Sequence, residues 1–151
     1  MQLTHAVRTV FVAFAIVLLS GCAAVGPKHA EIATSIPAIE AGKGRITFYR
    51  PDTFFGAALT ADIHLNGSVV GRSERGSFFW VDQAPGDCTV ATATEVEKQL
   101  TFKLAAGETR FVKTSVSMGI MVGRINPELT NAEEWNKELP ELHYIGTPLK
   151  R

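Results

Sequence analysis

The residue of this chain with the clearest potential for covalent chemistry is a cysteine near its beginning. Cys22 follows the apolar run 10–19 and is preceded directly by Ser20 and Gly21. A thiol is a strong nucleophile, and small neighbours leave both the sulfur and the adjacent peptide bond accessible. A core position, half of a disulfide and the point of attachment to another structure are the alternatives for Cys22.

Cys88 is the other cysteine of the chain. If Cys22 is modified, Cys88 has no intramolecular partner, and we expect no disulfide. Free cysteine is among the most buried residue types, so Cys88 is predicted to pack as a small hydrophobic residue. A reactive thiol is the alternative, because an oxidising compartment leaves a lone thiol open to chemistry.

The histidines form no recognisable catalytic or metal-binding motif. His5, His29, His64 and His143 are scattered, and no pair of His or Cys residues has the spacing of a zinc site. We therefore predict no metal and no cofactor. His64 falls on the polar face of an alternating segment, which favours a surface position.

Residues 71–75 approach a serine nucleophile elbow but lack one requirement. The elbow needs a glycine two positions after Ser73, where this chain has Arg75. The segment is therefore predicted to be a charged hairpin loop. We expect a protein that is not an enzyme; an enzyme whose site is assembled from dispersed residues, such as Cys88 or His64, is the alternative.

One candidate partner surface combines glycines with a methionine, and flexible surfaces of this kind adapt to varied partners. It consists of Gly119, Ile120, Met121, Val122 and Gly123. The alternative is that these residues pack against a C-terminal helix.

Arginines form a second candidate surface, because a guanidinium binds the carboxylates of glycans or the head groups of lipids bidentately. The candidate anion contacts are Arg45, Arg50, Arg72 and Arg75, with Arg110 and Arg124 as further members. The alternative is a set of ordinary solvated strand faces, because acidic residues are interspersed among these arginines.

The apolar run before Cys22 has the layout of an export signal. Residues 1–8 are polar and include His5 and Arg8, and the apolar run 10–19 follows. Residues 9–27 carry no charge, so an uncleaved membrane helix is the alternative.

The sequence Leu19-Ser20-Gly21-Cys22 resembles the lipobox of bacterial lipoproteins. The resemblance implies that Cys22 carries a diacylglycerol thioether, that the signal peptide 1–21 is removed, and that the new amine is acylated. Two or more acyl chains hold a protein stably in a membrane. Ala23, rather than Asp, implies sorting to the outer membrane, so we expect the protein on its periplasmic face.

Length and composition fit one globular domain. The chain has 151 residues, of which 46% are hydrophobic, and its 15 basic and 15 acidic residues cancel. This balance provides no field to attract nucleic acid, so no nucleic-acid partner is predicted. Residues 22–43 show no sustained period and are predicted to be a flexible tether with a reach of about 25 Å. Residues 44–151 are predicted to form the folded domain.

Short strands separated by turns dominate the chain from residue 44 onward. Residues 45–50 and 100–104 alternate between apolar and polar side chains, and 66–67 is an Asn-Gly hairpin signal. Residues 78–81 are four large side chains in a row, which predicts a strand covered on both faces. The pattern predicts an all-β fold, an antiparallel β-sandwich or partly open barrel of about seven to eight strands.

Residues 131–140 predict one short C-terminal helix. Asn131 can cap it by accepting from an amide of the first turn, and Glu134 can reach back to complete a capping box. Trp135 lies at a helical position that faces the sheet, and Pro140 ends the helix.

Five short segments carry a resemblance through their order and spacing. They are Gly44–Pro51, Asn66-Gly67 with Gly71, Gly76–Phe79, Ala84–Asp87 and Ala106–Val112. Together they are similar to domain-of-unknown-function family 2846, a family of small bacterial lipoproteins. The resemblance covers residues 44–139 and implies an exported β-sandwich, but it brings no functional residues. We expect a non-catalytic envelope lipoprotein that binds a protein partner or a cell-wall component. A structural or stress-related lipoprotein without a specific ligand is the alternative.

Overall fold

The computed structural model describes residues 24–147, which form two β-sheets and two short helices. The strands are β1 (Gly44–Arg50), β2 (Ala61–Leu65), β3 (Ser68–Ser73), β4 (Ser77–Gln83), β5 (Gly86–Ala93), β6 (Glu97–Leu104), β7 (Thr109–Ser117), β8 (Arg124–Thr130) and β9 (His143–Tyr144). The helices are α1 (His29–Ile32) and α2 (Ala132–Glu138), followed by the 3₁₀ turns Ala33–Ser35 and Leu139–Glu141 respectively.

The strands form a five-stranded sheet in the order β8-β7-β1-β4-β9 and a four-stranded sheet in the order β3-β2-β5-β6. The sheets do not close into a barrel, and the predicted all-β sandwich is confirmed. The five-stranded sheet is mixed, however, because β1 pairs in parallel with β7 and β4 pairs in parallel with β9. Parallel neighbours need long connections, and here the chain passes through the second sheet or through α2 before it returns.

Strand β8 escapes sequence prediction because Pro127 lies in its middle. Proline cannot donate to a strand ladder, so it is tolerated mainly on edge strands. Among the described residues β8 pairs only with β7 and forms one edge of the sheet. The described residues therefore contain nine strands, where the sequence predicts about seven to eight.

The core lies between the sheets and is built from alternate residues of the strands. Phe48 of β1 and Phe79 of β4 are buried, and their rings stack with centroids 5.0 Å apart. The four-stranded sheet contributes Ile63, Val90 and Cys88, which are almost completely buried. Burying one large apolar side chain stabilises the fold by about 1.5–3 kcal/mol, so this layer supplies most of the driving force.

The outer face of the five-stranded sheet is covered by α2. Trp135 packs edge-on against Tyr49 and Phe78, with ring centroids 5.3 and 5.4 Å apart. The placement of Trp135 on the sheet, predicted from its helical position, is confirmed. Strand β1 is consequently buried along its whole length.

The predicted cap of this helix forms in part. Asn131 Oδ1 accepts from the amide of Glu134 at 2.9 Å, as predicted. The Glu134 carboxylate does not complete the capping box but accepts from Lys113 Nζ at 3.0 Å. This contact ties α2 to β7 of the underlying sheet.

Residues 24–43 lie against the domain, which differs from the flexible tether predicted for residues 22–43. The Tyr144 amide donates to the carbonyl of Pro27 at 2.8 Å, Ile32 is buried, and Arg45 donates to the carbonyl of Pro37 at 2.9 Å. These contacts use carbonyl groups and one apolar side chain, which leave no periodic signal in the sequence. Cys22 lies outside the described residues.

The loops gather at the two ends of the sandwich. One end, called the apolar end below, carries the loops 51–60, 74–76, 94–96 and 118–123. The opposite end carries the hairpin at 66–67 and the turns that lead into β5 and β7. Residues 24–43 run between the two ends, from a contact with Arg75 to the start of β1.

Candidate functional site

Large apolar side chains are exposed together at the apolar end. Phe54 is 90% exposed in the loop between β1 and β2, and Ile120 and Met121 are 86% and 87% exposed in the loop between β7 and β8. We call this the apolar end surface, and it consists of Phe54, Phe55, Met118, Ile120, Met121 and Val122. Contiguous exposed apolar groups of this kind mark interaction sites in soluble domains.

A groove separates the two loops and joins their apolar residues into one surface. Its volume is about 470 Å³, and its walls include Phe55, Leu59, Val116, Met118 and Met121. The sequence predicted a partner surface at residues 119–123. The structure exposes Ile120, Met121 and Val122 of this segment, while Gly119 and Gly123 are half-buried. The alternative packing against the C-terminal helix does not form, because α2 lies on the outer face of the five-stranded sheet.

The loop 118–123 is held in place by the carboxylate of Glu95, which lies in the turn between β5 and β6. This carboxylate accepts from the amides of Ile120 and Met121, each at 2.9 Å, and of Val122 at 3.2 Å. Arg124 Nε also donates to it at 3.0 Å. The three backbone amides and then the guanidinium lower the pKa of Glu95 to about 2, so its charge persists at neutral pH. The backbone is fixed while its apolar side chains point outward.

The loop 51–60 is held in place by a positive charge, the guanidinium of Arg50. Arg50 is 2% exposed, and its guanidinium donates to the carbonyls of Gly56, at 2.6 Å, and of Leu59 and Ser73. Burial, and then the nearby charge of Arg75, lower the pKa of Arg50 from its ordinary value. Backbone carbonyls satisfy the donors that water would otherwise satisfy. Arg50 is thus a structural clamp of the loop and not an exposed anion contact.

The other predicted anion contacts are also paired within the chain. Arg45 is buried and forms two hydrogen bonds with Asp82, from Nε to Oδ1 at 2.7 Å and from Nη2 to Oδ2 at 2.9 Å. Arg72 Nε lies 3.2 Å from Asp62 Oδ1, and Arg75 forms an ion pair with Asp52. The four arginines therefore do not converge on one patch, because each has a local partner. Arg110 and Arg124 pair with Glu108 and Glu95 in the same way.

Cys88 and His64, the candidates for a dispersed catalytic site, lie on different faces of the four-stranded sheet. Cys88 is 1% exposed in the core, and burial, with a smaller contribution from the charge of Asp87, raises the pKa of its thiol. His64 is half-buried between the inward-facing residues Ile63 and Leu65 of β2. The fold does not bring the two side chains together.

Two further features concern metals and membranes. Within residues 24–147, no group of three or more His, Cys, Asp or Glu side chains converges so that it could hold a metal ion. No helix in the same part of the chain is long and apolar enough to cross a membrane. The predicted lipidation site, Cys22, lies before the first described residue.

Sequence reasoning missed Phe54, Phe55 and Glu95. The two aromatic residues come just after Thr53, which follows the turn Pro51-Asp52, and they belong to no alternating pattern. Their place outside any strand pattern was the available signal that they lie exposed in a loop. Glu95 carried no such signal, because the amides that it binds lie 25 to 27 positions further along the chain. Only the fold brings the β5–β6 turn beside the loop 118–123.

The fold and the site define a class of protein: a two-sheet β domain with a structured apolar surface at one end. The chain matches the family described as "Protein of unknown function (DUF2846)" over residues 40–125, which is more than half of its length. It belongs to this family, and the resemblance noted in the sequence is confirmed. A protein of Haemophilus influenzae described as uncharacterized is 28% identical over 130 residues, which cover 83% of this chain and 77% of the relative. No solved structure matches the chain.

Proposed function

We propose that this chain is a non-catalytic lipoprotein of the bacterial envelope, anchored through Cys22 on the periplasmic face of the outer membrane. In this proposal the sandwich binds a partner through the apolar end surface. The observation that carries the binding role is the exposure of Phe54, Ile120 and Met121 on loops whose backbones are fixed by buried or charged groups. A fixed apolar surface is suited to binding, because little ordering of the backbone is needed on contact.

The non-catalytic part of the proposal rests on how the titratable groups at the apolar end are used. The carboxylate of Glu95 is occupied by backbone amides, the guanidinium of Arg50 by backbone carbonyls, and Asp52 by Arg75. Catalysis requires titratable groups that face a substrate in a pocket. The apolar character of the surface also favours an apolar partner over a cell-wall glycan, which would need exposed hydrogen-bonding groups.

The anchoring part rests on the lipobox-like sequence Leu19-Ser20-Gly21-Cys22. The test expresses the full chain in a Gram-negative host and compares Cys22→Ala with a matched cysteine control, Cys88→Ala. Cys22→Ala should move the protein from the membrane fraction to the soluble fraction, while Cys88→Ala should remain with the membrane. Mass spectrometry of the unchanged protein should find acyl groups on an N-terminal Cys22. An unmodified thiol at position 22 would overturn the anchoring.

The binding role is tested separately from the anchor. Cells that lack the protein are complemented with the double variant Ile120→Asp, Met121→Asp or with the double variant Cys88→Ala, His64→Ala. At equal protein levels, the Ile120→Asp, Met121→Asp variant should fail to correct the phenotype of the deletion, while the Cys88→Ala, His64→Ala variant should correct it. Failure of the second pair with success of the first would instead indicate a catalytic or redox role.

A further inference from the structure

The described chain begins at the same end of the sandwich as the apolar end surface. The amide of Ala24 donates to the carbonyl of Arg75 at 3.4 Å, and the side chain of Arg75 forms an ion pair with Asp52. Asp52 opens the loop that carries Phe54 and Phe55. The start of the described chain and the exposed aromatic residues therefore occupy the same end of the sandwich.

The residues before this point leave little room between the domain and the anchor. Only Ala23 separates Cys22 from Ala24 in the sequence. Two residues of fully extended chain span at most about 7 Å. If Cys22 is acylated, as the proposed function holds, Ala24 must lie within this short distance of the acylated residue, so the end of the sandwich that holds Ala24 is turned towards the lipid. The sequence-based expectation of a long reach does not apply, because residues 24–43 are packed on the domain.

Contacts on both sides of α1 hold the segment after Ala24 against the sheet. His143 Nδ1 lies 2.7 Å from the carbonyl of Gly26, and Arg45 donates to the carbonyl of Pro37 near the opposite end. The chain thus leaves the apolar end along the side of the domain. An anchor at Cys22 would consequently fix which end of the sandwich faces the bilayer.

The chemistry of the apolar end fits a bilayer interface. Exposed aromatic and aliphatic side chains insert at the boundary between head groups and acyl chains, where they bury apolar area. Val25 adds to this set, because it is 95% exposed beside the start of the chain. Two of the carboxylates at this end, Glu95 and Asp52, are paired with Arg124 and Arg75. Such pairing reduces the cost of bringing charged groups towards a medium of low dielectric.

From the position of the anchor and the chemistry of the loops, we propose that the apolar end surface docks on the bilayer leaflet that holds the acyl chains of Cys22. The inference deepens the proposed function, on whose acylated Cys22 it rests, and identifies the partner of the surface as lipid. A membrane-bound protein is a second conceivable occupant. The bilayer is favoured because the anchor lies within about 7 Å of Ala24, and Ala24 lies at the same end of the sandwich as the apolar end surface.

The test places an environment-sensitive fluorophore on the intact acylated protein. The label is attached through Ile120→Cys and, as a matched control, through Val69→Cys, each in a Cys88→Ala background. Val69 is also an exposed apolar residue, 59% exposed, but it lies beside the hairpin at the opposite end. The thiol of Cys22 is unavailable to the label once it is a thioether. Mass spectrometry first establishes that the purified protein is acylated.

The acylated proteins are reconstituted into vesicles of phosphatidylethanolamine and phosphatidylglycerol. The label at position 120 should emit at a shorter wavelength in the vesicles than the same label does on the Cys22→Ala variant in detergent-free solution. Lipids with brominated acyl chains should quench its fluorescence. The label at position 69 should show neither effect. Adding Met121→Asp and Phe54→Ser to the protein labelled at position 120 should reduce the quenching towards the value at position 69.

The possible failures are distinguishable. An unacylated Cys22 would overturn the proposed anchoring and the docking that rests on it. Acylated protein in which the labels at 120 and 69 respond alike would overturn the docking and leave the anchoring intact. Shielding of position 120 that appears only when a second protein is added would also overturn lipid docking, because it would assign the surface to a protein partner.

Discussion

Glu95 Oε2 accepts a hydrogen bond from the amide of Met121 at 2.9 Å, so a carboxylate from one sheet fixes a loop of the other. Three consecutive amides converge on this one side chain, which lies in the β5–β6 turn. Hydrogen bonds to a charged acceptor are stronger than those between neutral groups. The backbone of the loop is therefore ordered by Glu95, although the apolar side chains of the loop are exposed.

Replacing this carboxylate should loosen the loop selectively. In Glu95→Gln, one side-chain oxygen remains and the charge is lost, so the amides of Ile120, Met121 and Val122 lose much of their protection. We expect these amides to exchange with solvent about tenfold faster, the scale of a lost charge-assisted hydrogen bond. Hydrogen exchange followed by NMR would measure the rates.

Glu97→Gln is the matched control for this experiment. Glu97 begins β6 on the same hairpin and is exposed, and its charge contacts no amide of the loop 118–123. In the Glu97→Gln variant, the amides at positions 120–122 should exchange at the same rates as in the unchanged protein. Equal rates in Glu95→Gln as well would contradict the role assigned to the carboxylate.

Acid should destabilise the domain through the same contact. The pKa of Glu95 is lowered to about 2 in the fold, so the unfolded chain binds this proton more readily than the folded chain. Stability from the contact is complete above the unfolded pKa of about 4.3 and is lost as the pH falls towards 2. The pKa of Asp82 is also lowered, chiefly by the hydrogen bond from Arg45. Protonation of Asp82 therefore also reduces the stability of the fold as the pH falls.

Urea unfolding between pH 7 and pH 2 would measure this dependence. The unfolding midpoint should fall most steeply below about pH 4.3, and the fall should be shallower in Glu95→Gln because that variant has no proton to bind at this site. A midpoint that stays constant down to pH 2.5 in the unchanged protein would be inconsistent with the lowered pKa.

The parts of this fold that the sequence predicts are those determined by neighbouring residues. The turn at Asn66-Gly67 forms because both residues adopt positive φ, 49° and 84°. Asn131 caps α2 because its side chain reaches an amide three residues away. Alternation in β6 depends only on which face of one strand is buried. Each of these signals is contained in fewer than ten residues.

The parts that the sequence did not predict depend on distant pairing. Arg50 looks like any surface arginine until the loop 51–60 folds over it and offers the carbonyls of Gly56 and Leu59. Pro127 argues against a strand until β8 is known to be an edge strand. Residues 24–43 appear irregular until the outer face of the sheet is present to receive them. The candidate surface was therefore predicted at 119–123, while the aromatic half at 54–55 was not.

The pair Arg45 and Asp82 should be a measurable contributor to stability. Both side chains are 9% exposed, and Arg45 also donates to the carbonyl of Pro37. Asp82→Ala leaves the guanidinium of Arg45 without its carboxylate partner. We expect the free energy of unfolding to fall by about 2 kcal/mol, which lies between the values for exposed and for fully buried pairs. Denaturant unfolding at pH 7 would measure it.

A double variant distinguishes the cost of an unpaired buried charge from the cost of losing the ion pair as a whole. Arg45→Met combined with Asp82→Ala removes both charges, and it should recover part of the stability lost in Asp82→Ala. Arg72→Met with Asp62→Ala is the control, because that pair is about half exposed and should cost less than about 1 kcal/mol. A loss in Asp82→Ala that is no larger than the loss for the exposed control pair would show that burial of the Arg45 pair has no energetic consequence.

Cys88 should be chemically inert in the folded protein. It is 1% exposed, and burial raises the pKa of its thiol, so both access and the reactive thiolate are limited. In the Cys22→Ala variant, where Cys88 is the only thiol, alkylation in native buffer should be at least about 10³ times slower than in urea, since reaction requires opening of the core. Val69→Cys in the same background places a thiol on the surface and should react rapidly without denaturant. The rate for Cys88 should rise with the unfolded fraction as urea is added, and rapid alkylation in native buffer would show that the two sheets open locally around this residue.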